Sequence, residues 1–256
     1  MTSPSTTLHP IAVHRHDDPR ALGEAAGSQA AELIAEAIAA RGSARVMLAA
    51  APSQAATLER LASADLDFSR VVFFHMDDYI GLPSDAPQGF GNWLDAHFLS
   101  RLTAAPVFHR IDTSLVAAES AAAYAAVMGD ELFDVTLCGL GVNGHLAFND
   151  PPADFADPLA ARPVSLDDTS RQQQVDEGHF PDFDTVPAQA ITVTIPRLLA
   201  ARHIVCSVPG AQKQRAVTET LRRDPDPMFP GTALHTHPDV HLFVDADSAP
   251  EDDPHE

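Results

Sequence analysis

LCGLGVNGHLAFNDPP, residues 137–152, passes from an apolar run through Gly139, Gly141 and Gly144 into His145, with Asp150 five positions further on. An apolar strand ending in a glycine turn that carries a proton-active side chain is how α/β enzymes present a catalytic group. The carboxyl ends of parallel strands face the ligand crevice, and glycine lets the backbone turn tightly against a small substrate.

The stretches on either side fit such a sheet. Asp18 is placed to cap a helix from about Pro19 to Arg41, with Leu22, Ala26, Ala30, Leu33, Ile34, Ala37 and Ile38 on one apolar face and Gly42 ending it. Strand-like runs then alternate with helical ones: ARVMLAA (44–50), RVVFFHM (70–76), DVTLCGL (134–140), AITVTI (190–195), HIVCSV (203–208) and DVHLFV (239–244). Short apolar runs separated by helical patterns imply βαβ units, so the spacing predicts a single Rossmann-like three-layer α/β domain over 1–245, its mostly parallel sheet flanked by helices. Residues 153–188 are long, polar and proline-rich, with one short helical possibility around Asp168 to Val175. Such a segment is either a lid over a site or a solvated excursion. The acidic 246–256 segment reads as a disordered tail.

The formal charge is −20, from 36 acidic against 16 basic residues, which argues against nucleic acid or an anionic membrane as partner. An anionic ligand would need local cations, and fifteen of the sixteen are arginines; Lys213 is the only lysine. Cys138 and Cys206 lie inside apolar runs, as reduced core thiols do. The N-terminal MTSPSTTLHPIAVHRHDDP has no apolar stretch behind positive charge, and no run of 18 apolar residues occurs, which predicts a soluble, cytoplasmic protein.

Four strand ends carry polar or glycine-bearing loops: 51–54 with Ser53, 76–79 with Asp77 and Asp78, 139–150 with His145, and 209–213 with Lys213. In a parallel sheet all four emerge on one side, so one crevice would collect a hydroxyl, paired acids, a histidine with a further acid, and an ammonium. A carboxylate of the Asp77–Asp78 pair at the rim of a dry core has a raised pKa and suits it as a base, though adjacent acids after a strand also cap turns. His145 can shuttle protons near neutral pH, oriented by Asp150. Ser53 suits either an anion or a helix N-cap, and Lys213 either a ligand or plain solvent. His235, His237 and His241 have an H-x-H-x-x-x-H spacing, but Pro238 interrupts it and no partner ligand is evident, so no metal is assigned.

FFHMDDYIGLP (73–83) together with LCGLGVNGHLAFNDPP resembles the glucosamine-6-phosphate deaminase (isomerising) family, related in fold to the 6-phosphogluconolactonases. The likeness runs from about Ala44 to Val244. It implies that Asp77 is the base moving a proton between C2 and C1 and that His145 opens the sugar ring. It places Asn143 and Asp150 where the family has acidic partners of that histidine, and Ser53, Arg171 and Lys213 on the sugar phosphate; Asp78 joins them as a substrate-binding candidate. The implied reaction is isomerisation with deamination of an amino-sugar 6-phosphate, needing no cofactor, as in N-acetylglucosamine catabolism; assembly into a homo-oligomer is left open. Asn143 and Asp150 replace the aspartate and glutamate of many members, and Ala-Ala-Pro-Ser-Gln replaces a glycine-rich phosphate loop, which marks a divergent branch. The rivals are a lactonase, whose Gly-His is followed by a Thr-Ala-Ser-Leu-Phe type run, and a non-catalytic sugar-phosphate sensor.

Overall fold

The computed structural model describes residues 7–251. Its centre is a seven-stranded sheet in the order β1 (Ala12–His16), β10 (Val240–Asp245), β9 (Ala201–Val208), β6 (Phe133–Cys138), β2 (Ala44–Leu48), β3 (Val71–His75), β5 (Val107–His109). Every pairing in it is parallel. Side chains alternate across the sheet, as the pleat requires. Val46, Leu48, Phe73 and Val135 face the helices α1 (Pro19–Arg41), α2 (Ala55–Ala62) and α3 (Phe90–His97). Met47, Phe74, Phe133 and Cys206 face α4 (Ala117–Met128), the short α6 (Ile195–Leu198) and α7 (Gln214–Arg222). Both faces are therefore covered, which is why the strands read as nearly continuous apolar runs.

Helix α1 begins and ends where its caps dictate. The Asp18 carboxylate accepts from the Ala21 N–H at 2.8 Å, and Gly42, at φ 83°, closes the last turn by donating to the Ile38 carbonyl.

AITVTI is not part of the main sheet. It forms β8 (Gln189–Val193), the middle strand of a separate antiparallel sheet between β4 (Asp77–Tyr79) and β7 (Ala161–Ser165). A short apolar run looks alike in either setting, and only the partner differs. The 153–188 segment is likewise more than a loop: it supplies β7, then α5 (Asp168–Asp176), and buries Leu166, Phe180 and Val186. The first part of the segment expected to be a disordered acidic tail is packed on the domain. Ser248 and Ala249 are buried, with Asp245 Oδ1 accepting from the Ser248 N–H at 2.8 Å, while residues 252–256 lie outside the described residues. Cys138 and Cys206 face each other across β6 and β9 as free, buried thiols. No helix among the described residues is long and apolar enough to cross a membrane.

The three C-terminal histidines part company. His235 Nε2 meets the Thr220 carbonyl at 2.8 Å, His237 Nε2 meets the Ala201 carbonyl at 2.9 Å, and His241 stacks on His14 of the edge strand β1.

His75, at the end of β3, is fully buried. Its Nε2 accepts from the Ile111 N–H at 2.8 Å, so Nδ1 carries the proton. Burial, with Arg110 adding to it and Asp78 opposing it, lowers its pKa from 6.5 to about 4. In the unfolded chain the same imidazole titrates near 6.5, so the unfolded state binds the extra proton first. The neutral ring's contribution is complete above about pH 6.5 and is lost as pH falls toward 4, amounting to about 3 kcal/mol. Urea unfolding at pH 7 and pH 4 should show a fall in stability that is smaller by about that amount in His75→Gln. Equal pH slopes in the two proteins would refute the assignment.

Candidate active site

From β2 the chain proceeds through β3 to β5 in one direction across the sheet, and from β6 through β9 to β10 in the other. The reversal falls between β2 and β6, the place where doubly wound sheets open a crevice beyond their carboxyl ends. A cleft lies there, lined by Ser53 and Gln54 after β2, Asp77 after β3, Gly139, Gly141 and His145 after β6, and Lys213 after β9. The four loops picked out by their strand ends thus meet in one cavity. Gln173 and Gln174 of α5 close its remaining side.

Asp77 is 5% exposed, and no described hydrogen bond ends on its carboxylate. Burial, followed by the neighbouring charge of Asp78, raises its pKa well above the usual carboxylate value. A carboxylate of that kind is a stronger base than one in water and is not held by a competing donor.

His145 sits in a tight frame. Asp150 Oδ1 accepts from His145 Nδ1 at 3.1 Å, from Asn143 Nδ2 at 3.0 Å and from Ser170 Oγ at 2.5 Å. Since Ser170 gives its proton to Asp150, Nδ1 is the protonated nitrogen of the neutral ring, which leaves the lone pair on Nε2. Burial opposes the charge on Asp150, but His145, Ser170 and Asn143 together outweigh it and hold this carboxyl well below its ordinary value. It therefore stays ionised and fixes the imidazole. Asn143 Oδ1 also accepts from the His145 N–H at 3.1 Å, a bond that needs only an amide oxygen.

The glycines before His145 have separate reasons. Gly144 turns the chain at φ 83°, and a Cβ on Gly141 would lie 2.3 Å from the imidazole Nε2. Gly141→Ala should therefore push the ring out of place and lower kcat/KM by roughly 100-fold, because small misplacements of a catalytic group are expensive. Steady-state rates on a variant with unchanged thermal unfolding would check this; an activity within threefold of wild type would show that the ring tolerates the methyl group.

Two expected residues point elsewhere. Asp78 is buried and accepts from the N–H groups of Tyr79, Phe90 and Gly91 at 2.9, 2.9 and 3.0 Å, so it caps the start of α3 instead of meeting a ligand. Arg171 donates to the carbonyls of Phe183 and Val186 and lies 4.0 Å from the centre of the Phe183 ring; it holds the 183–186 turn and does not line the cleft. A buried carboxylate or guanidinium takes whatever partners surround it, and here those are backbone groups.

Five residues escaped the sequence reading: Gln54, Gln173 and Gln174, which line the cleft, Ser170, which bonds Asp150, and Glu177, whose carboxylate lies beside Lys213. Asp167 caps α5 by accepting from Thr169 and Ser170, and the helical repeat then puts Ser170, Gln173 and Gln174 on one face. That period was available in the sequence, but a face made of serine and glutamines gives no apolar signal.

An α/β cleft at a strand-order reversal that gathers a buried carboxylate, an oriented imidazole and an ammonium has the groups that proton transfer on a small molecule needs. The chain belongs to the glucosamine-6-phosphate isomerase/6-phosphogluconolactonase family, whose sequence profile matches residues 17–242. It is 31% identical over 228 residues to a glucosamine-6-phosphate deaminase of Mycolicibacterium smegmatis, covering 86% of this chain and 85% of that one. It is 30% identical over 190 residues to glucosamine-6-phosphate deaminase 1 of Bacillus subtilis, covering 72% and 76%. Among solved structures, a monomeric glucosamine-6-phosphate deaminase superposes with a TM-score of 0.85 at 26% identity, over 93% of this chain and 98% of that one. A 6-phosphogluconolactonase from Shewanella baltica shares the fold, with a TM-score of 0.77 at 20% identity over 93% and 98% of the two chains.

Proposed function

We propose that the protein converts glucosamine 6-phosphate and water into fructose 6-phosphate and ammonia, as an enzyme of amino-sugar metabolism. The observation that carries this reading is the unpaired, buried Asp77 carboxylate facing the same cleft as His145. Moving a carbon-bound proton requires a base with a raised pKa; hydrolysis of a lactone does not.

His145 Nε2 accepts the proton of the O1 hydroxyl and passes it to the ring oxygen as that oxygen's bond to C1 breaks, giving the open-chain aldehyde. Asp77 then removes the proton from C2, and the electron pair moves through C1 to the carbonyl oxygen, giving an enolamine. Return of the proton from Asp77 to C1, with an amine N–H proton passing to the O1 oxyanion, leaves an imine at C2, and water adds to that carbon and expels ammonia. Asp150, Ser170 and Asn143 keep the imidazole in the tautomer this sequence needs. Ser53 and Lys213 serve the phosphate end.

Ammonia and fructose 6-phosphate should appear in equal amounts from glucosamine 6-phosphate in an enzyme-coupled assay, with 6-phosphogluconolactone as the comparison substrate. Lactone hydrolysis without ammonia release would replace this reading with the hydrolase, and tight binding of the amino sugar phosphate without turnover would replace it with a sensor.

A further inference from the structure

Among the described residues Lys213 is the only lysine or arginine lining the cleft, and it is already paired. Its side chain is 2% exposed, and its Nζ lies 3.1 Å from Glu177 Oε1, at the C-terminal end of α5. The same oxygen accepts from Gln173 Nε2 at 2.8 Å, and Gln173 Oε1 in turn accepts from the Val142 N–H at 2.9 Å. Glu177 Oε2 is buried with no hydrogen-bond partner.

Three features make this carboxylate a poor permanent resident. Its second oxygen is desolvated and unsatisfied, a state that costs free energy. It stands with Asp176 at the negative end of a helix dipole, where anions are disfavoured. The helix that carries it turns Ser170, Gln173 and Gln174 inward, so polar contacts and not apolar packing hold that face. A phosphate monoester, with about 1.5 to 2 negative charges near neutral pH, cannot sit beside Lys213 while Glu177 does, because the anions would repel each other in a partly desolvated site.

We propose that Glu177 is a specificity-determining residue: a resident carboxylate that the substrate's phosphate displaces from Lys213. This rests on the amino-sugar phosphate reading and refines it. An ammonium already neutralised by a carboxylate gives nothing to a second monoanion, so carboxylate-bearing sugars gain no foothold. A dianion forms the stronger pair with Lys213 and releases Glu177 to water. Displacement frees the end of α5, so filling the phosphate position and moving the helix that carries Gln173 and Gln174 are one event.

The test is calorimetric binding of inorganic phosphate and of acetate to the full chain as wild type, Glu177→Gln and Lys213→Met, with near-UV circular dichroism to establish folding. Glu177→Gln should bind phosphate at least tenfold more tightly than wild type and should acquire measurable acetate binding; Lys213→Met should bind neither. The KM for glucosamine 6-phosphate should fall by a similar factor in Glu177→Gln. Should that variant fail to fold, Glu177→Asp, with its shorter reach, should still tighten phosphate binding at least threefold. Unchanged or weaker phosphate binding in a folded Glu177 variant overturns the proposal. Tighter phosphate binding with no ammonia release from any form upholds displacement while removing the deaminase reading, and ammonia release with Glu177-independent phosphate binding does the reverse.

Discussion

Asp77→Asn lowers kcat for ammonia release from glucosamine 6-phosphate by roughly 10³-fold or more, with KM within a few fold of wild type. The amide keeps the shape of the carboxyl group but cannot accept a proton, and general base catalysis contributes about 10² to 10⁴ in rate. The strong end of that range applies because the Asp77 carboxylate is buried beside Asp78, so its pKa is raised and its basicity toward a C–H bond is high. Folding should not suffer. Asp77 pairs with Thr192 through the backbone in the small sheet, and removing a buried charge with no described donor relieves a cost. Exchange of a C1 proton of fructose 6-phosphate with solvent in the presence of ammonium, followed by NMR, isolates the step and should vanish in the variant. A kcat within tenfold of wild type would remove Asp77 from the base role.

His145→Gln should reduce kcat by roughly 10² to 10³, for a different reason. The amide can donate or accept a hydrogen bond in the same place but cannot carry a proton from one oxygen to another. The loss belongs to ring opening, so C1 proton exchange from fructose 6-phosphate, a substrate with a more accessible open-chain form, should fall much less than deamination of the amino sugar. Asp150→Asn should give part of the same loss, because the amide can present its N–H to Nδ1 and so stabilise the tautomer with the proton on Nε2. Equal losses in both directions would assign His145 to the proton transfer at carbon instead.

Helix α1 and the β2, β3, β6, β9 and β10 runs were legible because each encodes its own period and punctuation: Asp18 and Gly42 bracket the helix, and unbroken apolar runs mark strands buried on both faces. The elements that escaped have no such signature. β1, AVHRH, is an edge strand with alternating polar side chains; β4 is made of Asp77, Asp78 and Tyr79; β7 contains Arg162 and Pro163 and is tolerated only at a sheet edge. AITVTI was legible as a strand, but its antiparallel partners were not. For the site, strand-end position alone was enough to bring Ser53, Asp77, His145 and Lys213 to one cleft, because parallel strands put all their carboxyl ends on the same side. Asp78 is equally eligible as one of the acidic pair, and Arg171 is a candidate by the family resemblance alone.

Local residue patterns and the direction of strands thus carry the class of sheet and the loops that form the crevice. The tertiary structure alone decided which charges remain free to act. Asp78 is consumed by the N–H groups of α3, Arg171 by two carbonyls, and Lys213 by Glu177, whereas Asp77 is left without a partner. A buried charge is governed by the nearest groups that can satisfy it, and those come from segments distant along the chain, where no local pattern of residues records them.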